Sequence, residues 1–224
     1  MIDFYFHATP NSMKVALLLE ELGLSYTVRS VDIFKGEQHA PEFRRINPNG
    51  KLPAIVFEDT AIFDSHAILL YLADRHGRFG SAVEPNRAQV LSWLQMVATG
   101  LSPFSGQAAH FLHYAPDLPY AKNRYVKEVE RHYAVLDGRL AQSAWLAGDT
   151  YGIADMALWG WAISAPFVFG AKGLADYPSV ARLVADINVR PAAIRALALR
   201  AQHTTPTEMD AVARRAMFPQ NELS

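Results

Sequence analysis

Three short stretches carry residue types at spacings from which chemistry could be built: Thr9-Pro10-Asn11, Asn47-Pro48-Asn49-Gly50-Lys51-Leu52-Pro53 and Asp64-Ser65. In the central one a polar turn runs into the short apolar segment Ala54 to Phe57, with a proline at the junction. Pro53 has no backbone N–H, so it belongs at the first residue of a strand or on a sheet edge. A cis Leu52–Pro53 bond would turn the Leu52 N–H and C=O away from the sheet. An extended peptide could then pair with them as an added strand. The plainer alternative is a loop followed by a β-edge. Thr9-Pro10 and Asp64-Ser65 each precede a helical pattern, so each also reads as an ordinary helix cap. Lys51 reads equally well as a solvated lysine.

The elements that must position these residues follow from periodicity. Ile2, Phe4 and Phe6 alternate with Asp3 and Tyr5 as a strand, and Tyr5, inside it, is read as packing. Val15, Leu18, Leu19 and Leu22 recur at helical spacing, an amphipathic helix that Gly23 can end. Tyr26 to Val31 reads as a strand, a short helix is expected near Pro41 to Arg45, and Ala54 to Phe57 with Ala61 to Phe63 reads as a hairpin. Ser65 to Arg75 is helical and apolar nearly all round, which calls for cover on more than one side. The first part thus reads β-α-β-α-β-β-α, with a parallel crossover and an antiparallel edge.

After Gly80 no convincing strand remains. Helices are expected over Arg87 to Gly100, Pro119 to Gln142, Ile153 to Phe169, Ser179 to Val189 and Ala192 to Ala201, with a bend at Gly100 to Pro103. The division is 1–80 for the mixed domain, 81–86 for a linker, 87–201 for an all-α domain and 202–224 for a tail. The tail has room for one short helix around Glu208 to Met217 and is expected on the surface with a frayed end. At Tyr151-Gly152-Ile153-Ala154-Asp155-Met156, Asp155 falls at the third position of a helix, where its carboxylate can reach back to an orphan donor. Tyr151 and Met156 have the spacing of a hydrophobic staple, so this motif reads as folding machinery.

Composition narrows the function classes. The chain has 224 residues, half of them hydrophobic, and a formal net charge of −1, which removes the electrostatic case for nucleic acid or an anionic membrane surface. It has no cysteine, hence no disulfide, thiolate metal site or protein-borne catalytic thiol. The start Met1-Ile2-Asp3-Phe4 lacks the pattern of a signal peptide. The apolar run Met156 to Ala171 is short for a membrane span and is broken by Gly160 and Pro166. A cytoplasmic protein is expected. His110 and His113 lie three apart with no third ligand near, so no metal is expected there.

A thioredoxin-like βαβαββα domain with X-Pro at its third strand, followed by an all-helical domain, resembles the cytosolic glutathione transferases over about residues 1–200. The carriers are Thr9-Pro10-Asn11, the Asn47 to Pro53 run, Asp64-Ser65-His66-Ala67-Ile68 and Ile153-Ala154-Asp155. The details look most like the nu class, the bacterial group with disulfide-bond reductase activity. There Met1-Ile2-Asp3 and a run like Gly106-Gln107, His110-Phe111, His113, Ala115-Pro116 and Pro119-Tyr120 recur.

The resemblance implies that residues matching Thr9, Asn11, Gln38, Leu52, Asp64 and Ser65 line a glutathione site. The cysteinyl backbone of glutathione would pair with Leu52 beside Pro53. The γ-glutamyl carboxylate would meet Ser65 and the free N–H groups at a helix start. The glycyl carboxylate would meet Lys51, with Gln38 nearby. The thiol would lie at the start of the first helix, where dipole and N–H donors favour the anion, with Thr9 and Asn11 adding hydrogen bonds. Arg131 matches an arginine presented to the partner subunit's site, and a homodimer is implied. The implied activity is glutathione-dependent disulfide reduction, with conjugation of a small electrophile or peroxide reduction as related activities. The alternative is a non-catalytic interaction or regulatory module of the same fold. Three positions depart from the pattern: Asp64 stands where Glu is usual, His66 replaces a small residue, and Gly152 replaces a Ser/Thr cap.

Overall fold

The computed structural model describes residues 1–80, 86–204 and 210–221. Most of the expected linker, 81–85, and part of the tail, 205–209 and 222–224, lie outside the described residues.

The first half is a four-stranded sheet with helices. β1 (Ile2–Phe6), β2 (Tyr26–Ser30), β3 (Ala54–Phe57) and β4 (Thr60–Phe63) stand in the order β2-β1-β3-β4. β1 pairs parallel with β2, Phe4 opposite Val28, and antiparallel with β3, Phe4 opposite Ile55. β3 and β4 form the antiparallel edge. The alternation in β1 is realised: Ile2, Phe4 and Phe6 are buried, while Tyr5 packs on Phe43 on the other face. Three helices belong to this half: α1 (Pro10–Leu22), α2 (Pro41–Ile46) and α3 (Ser65–His76).

The second half is helical: α4 (Asn86–Met96), α5 (Ser102–His113), α6 (Pro119–Leu140), α7 (Ile153–Ala162), α8 (Pro166–Phe169), α9 (Pro178–Asn188), α10 (Pro191–His203) and α11 (Ala211–Met217). The expected bend after Arg87 to Gly100 takes the form of a π-helical turn, Val97–Leu101, joining α4 to α5.

Several expectations need correction. α1 is not amphipathic: Ser12 to Leu19 are all buried, Lys14 included. α3 packs against it from the sheet half, and α7 and α10 pack against it from the helical half. At the closest approach, a Cβ on Gly160 of α7 would lie 2.5 Å from the Pro10 carbonyl oxygen and 2.6 Å from Lys14 Cγ. The single helix expected over Ile153 to Phe169 is broken between α7 and α8. Residues Ile153–Lys172 are long and apolar enough in composition to span a membrane, so length does not set this stretch apart from a span. Burial gives the apolarity another cause, because Ile153 to Gly160 are all buried in the core.

Asp155 works as its position predicts. Its two carboxylate oxygens accept from Leu146 N at 2.8 Å and Gly152 N at 2.9 Å. Burial pushes this carboxyl up to about 7 against the pull of those amide donors. Gly152 is required by space: a Cβ there would lie 2.4 Å from the Phe79 carbonyl oxygen. That carbonyl accepts from Ile153 N, so a Ser/Thr cap has no room.

The short helix expected in the tail is α11, Ala211–Met217, and it lies at the surface with Ala213 as its buried residue. The Asp210 carboxylate caps α11 through Ala213 N at 2.8 Å, Ala213 is buried, and α11 packs on the 3₁₀ turn Ile33–Lys35.

Candidate functional site

The three stretches singled out in the sequence converge on a cleft between the sheet half and the helices. Two adjoining cavities of about 270 Å³ and about 260 Å³ share Asn11, Lys51 and Leu52 as walls. Asp64, Ser65 and Pro53 lie in the first, and Thr9 and Gln38 in the second. A third cavity of about 480 Å³ continues outward from the second through Tyr114 and Phe218.

Local structure explains each placement. The loop before β3 is pinned by buried Asn47, whose Nδ2 donates to Lys51 O at 2.6 Å and whose Oδ1 accepts from Asn49 N at 3.0 Å. Gly50 turns at φ +62°, in the left-handed region. The Leu52–Pro53 peptide is cis. Among the described residues the Leu52 N–H and C=O make no backbone hydrogen bond. Lys51 is exposed at the rim and forms no ion pair among the described residues.

Thr9 is the N-cap of α1, and its Oγ1 accepts from Ser12 N at 3.3 Å. The cap reading of Thr9-Pro10 therefore holds, with the hydroxyl at the cavity wall as well. Asn11 stands one residue inside α1, and its Oδ1 is buried without a hydrogen-bond partner among the described residues. A buried, unpaired amide oxygen costs about 1–3 kcal/mol unless something fills the space beside it.

Asp64 is the N-cap of α3, at φ 70° and ψ 127°, a conformation non-glycine residues rarely hold. Its Oδ1 accepts from His66 N at 2.8 Å and Ala67 N at 3.3 Å. Two of the donors expected to be free at this helix start are thus taken by Asp64. Ser65, buried, makes no backbone hydrogen bond through its own N–H outside the helix, and its hydroxyl lies at the cavity wall 3.4 Å from His66 Nδ1. The His66 ring is the main cause holding the Asp64 carboxyl down at about 2, with the His66 and Ala67 amides adding to it against burial.

Gln38 is buried, and its Nε2 donates to Ala216 O of α11 at 3.2 Å, while its Oε1 has no partner among the described residues. His110 rests against Phe218 and lines the outer cavity, and His113 Nε2 donates to Phe167 O at 2.7 Å. Arg131 is not brought to these cavities within the chain; it pairs with Glu128 at 3.0 Å on the exposed side of α6.

Sequence reasoning missed Lys14 and Ser102. Lys14 Nζ donates to Ser102 Oγ at 2.9 Å and lies 3.3 Å from His66 Nε2, which gives His66 a partner that spacing alone did not reveal. A lysine inside the otherwise apolar run Met13 to Leu19 was the available signal.

Comparison with known proteins agrees with this geometry. The family model for the glutathione S-transferase N-terminal domain matches residues 8–75, and that for the C-terminal domain matches residues 119–212. The chain is 46% identical over 210 residues to the disulfide-bond oxidoreductase YfcG of Escherichia coli (strain K12), covering 90% of this chain and 96% of that protein. A glutathione transferase family member from Pseudomonas fluorescens pf-5, crystallised with two glutathione bound, superimposes with a TM-score of 0.82 at 35% identity, over 88% of this chain and 92% of that one. The glutathione transferase URE2P6 from Phanerochaete chrysosporium, in complex with oxidized glutathione, gives a TM-score of 0.84 at 33% identity, over 91% and 97%.

Proposed function

Because the chain belongs to the glutathione S-transferase family, we propose that it is an enzyme that binds glutathione in this cleft and uses the thiolate to reduce disulfides. The observation that carries the reading is the position of Leu52. Its backbone, without a backbone hydrogen bond among the described residues, borders both the cavity that holds Ser65 and the one that holds Thr9, as an extended peptide lying across the two would need. Asp64 Oδ2 faces the γ-glutamyl ammonium, Ser65 the γ-glutamyl carboxylate, and Lys51 and Gln38 the glycyl carboxylate. The sulfur meets Thr9 and Asn11, whose side-chain amide can turn Nδ2 toward it.

A free thiol has a pKa near ~8.5. Lowering it by one or two units stabilises the thiolate by about 1.4–2.7 kcal/mol, within reach of a helix start and two directed donors. The chain has no cysteine, so glutathione supplies every sulfur. A first thiolate attacks a disulfide, forms a mixed glutathione disulfide and expels a thiolate that takes a proton. A second glutathione thiolate then releases the other half as a thiol and leaves as oxidised glutathione. The outer cavity, bounded by His110, Phe111, Tyr114, Arg214 and Phe218, receives the acceptor. The same thiolate can attack an electrophilic carbon or a peroxide.

The proposal extends to a cytoplasmic homodimer, where glutathione is kept reduced. Phe63 on β4 and Tyr71 on α3 are exposed apolar side chains on neighbouring elements, which supports an interface there, with Arg131 offered to the partner's site. Functionally, residues 1–80 hold glutathione and 87–201 with the tail hold the acceptor.

The test is turnover of 2-hydroxyethyl disulfide with glutathione, beside a chlorinated aromatic acceptor. Faster turnover of the disulfide is expected. No turnover of either, with no heat of glutathione binding, would leave a non-catalytic module of this fold.

A further inference from the structure

Beneath the cleft lies a polar chain that the thiolate chemistry does not use. Lys14, in the middle of α1, is completely buried. Its Nζ donates to Ser102 Oγ at 2.9 Å and lies 3.3 Å from His66 Nε2. Trp161 Nε1 donates to the same Ser102 oxygen at 2.9 Å, so that hydroxyl is already an acceptor twice over. Beyond His66, its Nδ1 lies 3.4 Å from Ser65 Oγ and 3.7 Å from Asp64 Oδ1.

The charge balance of this cluster is unusual. Among the described residues no carboxylate comes within ion-pair distance of Lys14. The groups facing it are His66 on α3, Ser102 on α5 and the Trp161 ring on α7, with Asp64 the one carboxylate near enough to matter. Lys51, at the mouth of the cavity, is the other cation nearby. Burial drives the Lys14 ammonium down to about 7, and burial and Lys14 together lower His66. His66 and Ser102 are nonetheless walls of the cavity that holds Ser65 and Leu52. Asp64 is the one carboxylate facing the pair, and a ligand carboxylate entering that cavity adds a second negative charge across a single ring or hydroxyl.

We propose that Lys14 and His66 are a positioning pair that takes up a proton from solvent when the carboxylate end of the ligand enters the cavity, so that anion binding and protonation of the pair are one event. The proton enters at His66, which reaches the cavity, and is shared with Lys14 Nζ through Nε2; nothing is oxidised or reduced. This rests on the glutathione reading, and the consequence is that affinity falls as pH rises through neutrality even for a ligand with no thiol to ionise.

The test is calorimetric titration of the full chain with S-methylglutathione, which has no titrating sulfur, in phosphate and in Tris near pH 7.5. The expected result is a buffer-dependent enthalpy equal to uptake of about half a proton per site. Lys14→Met should remove most of that uptake, and His66→Gln, which leaves α1 untouched, should reduce it at least about twofold. Binding with the same enthalpy in both buffers overturns the proposal and leaves the glutathione reading standing. Undiminished uptake in both variants also overturns it. If the wild type binds neither S-methylglutathione nor glutathione, the glutathione reading falls and the pair's role falls with it.

Discussion

Gln38 Nε2 donates across 3.2 Å to the main-chain oxygen of Ala216, joining the wall of the cleft to the tail helix. Its Oε1, buried and unpartnered among the described residues, is left for the glycyl end of glutathione in the proposed complex. Gln38→Ala removes the tie and one ligand contact together. A single hydrogen bond of this kind is worth about 0.5–1.5 kcal/mol. The KM for glutathione is expected to rise about two- to tenfold with kcat little changed, measured by steady-state kinetics at saturating disulfide.

Thr9 caps α1, and in the proposed complex its hydroxyl also meets the sulfur. Thr9→Ala is expected to cost about 1 kcal/mol of stability through the lost cap, read by urea unfolding. It should also lower turnover about tenfold or more, if one directed bond to the thiolate is worth about 1.5 kcal/mol or above. Thr9→Ser restores both. Asn11→Ala should lower turnover to a similar extent without the capping cost.

Asp155 lines none of the three cavities of the cleft and holds two buried amides. Asp155→Ala leaves Leu146 N and Gly152 N unpaired at about 1–3 kcal/mol each, so a loss of about 2–4 kcal/mol is expected in chemical denaturation. Activity per folded molecule should not change.

Lys14 makes stability depend on pH in a defined direction. Its folded value is lowered to about 7 from 10.5. Between those values the unfolded chain binds more protons than the folded one, so this group makes stability rise with pH across the window. Its burden is heaviest below about pH 7. Lys14→Met removes the burden, and the stability of the variant relative to wild type should be highest at pH 6 and fall by about 4 kcal/mol toward pH 10, as read by urea midpoints. The sign would reverse if the lysine were held as a stabilised cation.

Much of this was legible in the chain because the signals were local. Strand alternation in Ile2 to Phe6, the proline before Ala54 and the cap residues at Thr9, Asp64 and Asp155 each specify backbone geometry within a few positions. What escaped depended on contacts between distant segments. α1 appeared amphipathic because its second apolar cover comes from α7 and α10, far along the chain. Lys14 and Ser102 meet across 88 positions, and Gln38 and Ala216 across 178, so neither pair leaves a mark in spacing. Gly152 looked like a weak cap until the Phe79 carbonyl was seen to occupy the room a side chain would need.

The central claim is that bound glutathione is held as a thiolate at the start of α1. Titrating the ultraviolet absorbance of the thiolate in the glutathione complex tests it most directly. A thiol pKa at least about one unit below the free value of ~8.5, returning toward that value in Thr9→Ala and Asn11→Ala, is the predicted result. Saturating glutathione with an unshifted thiol pKa would contradict it.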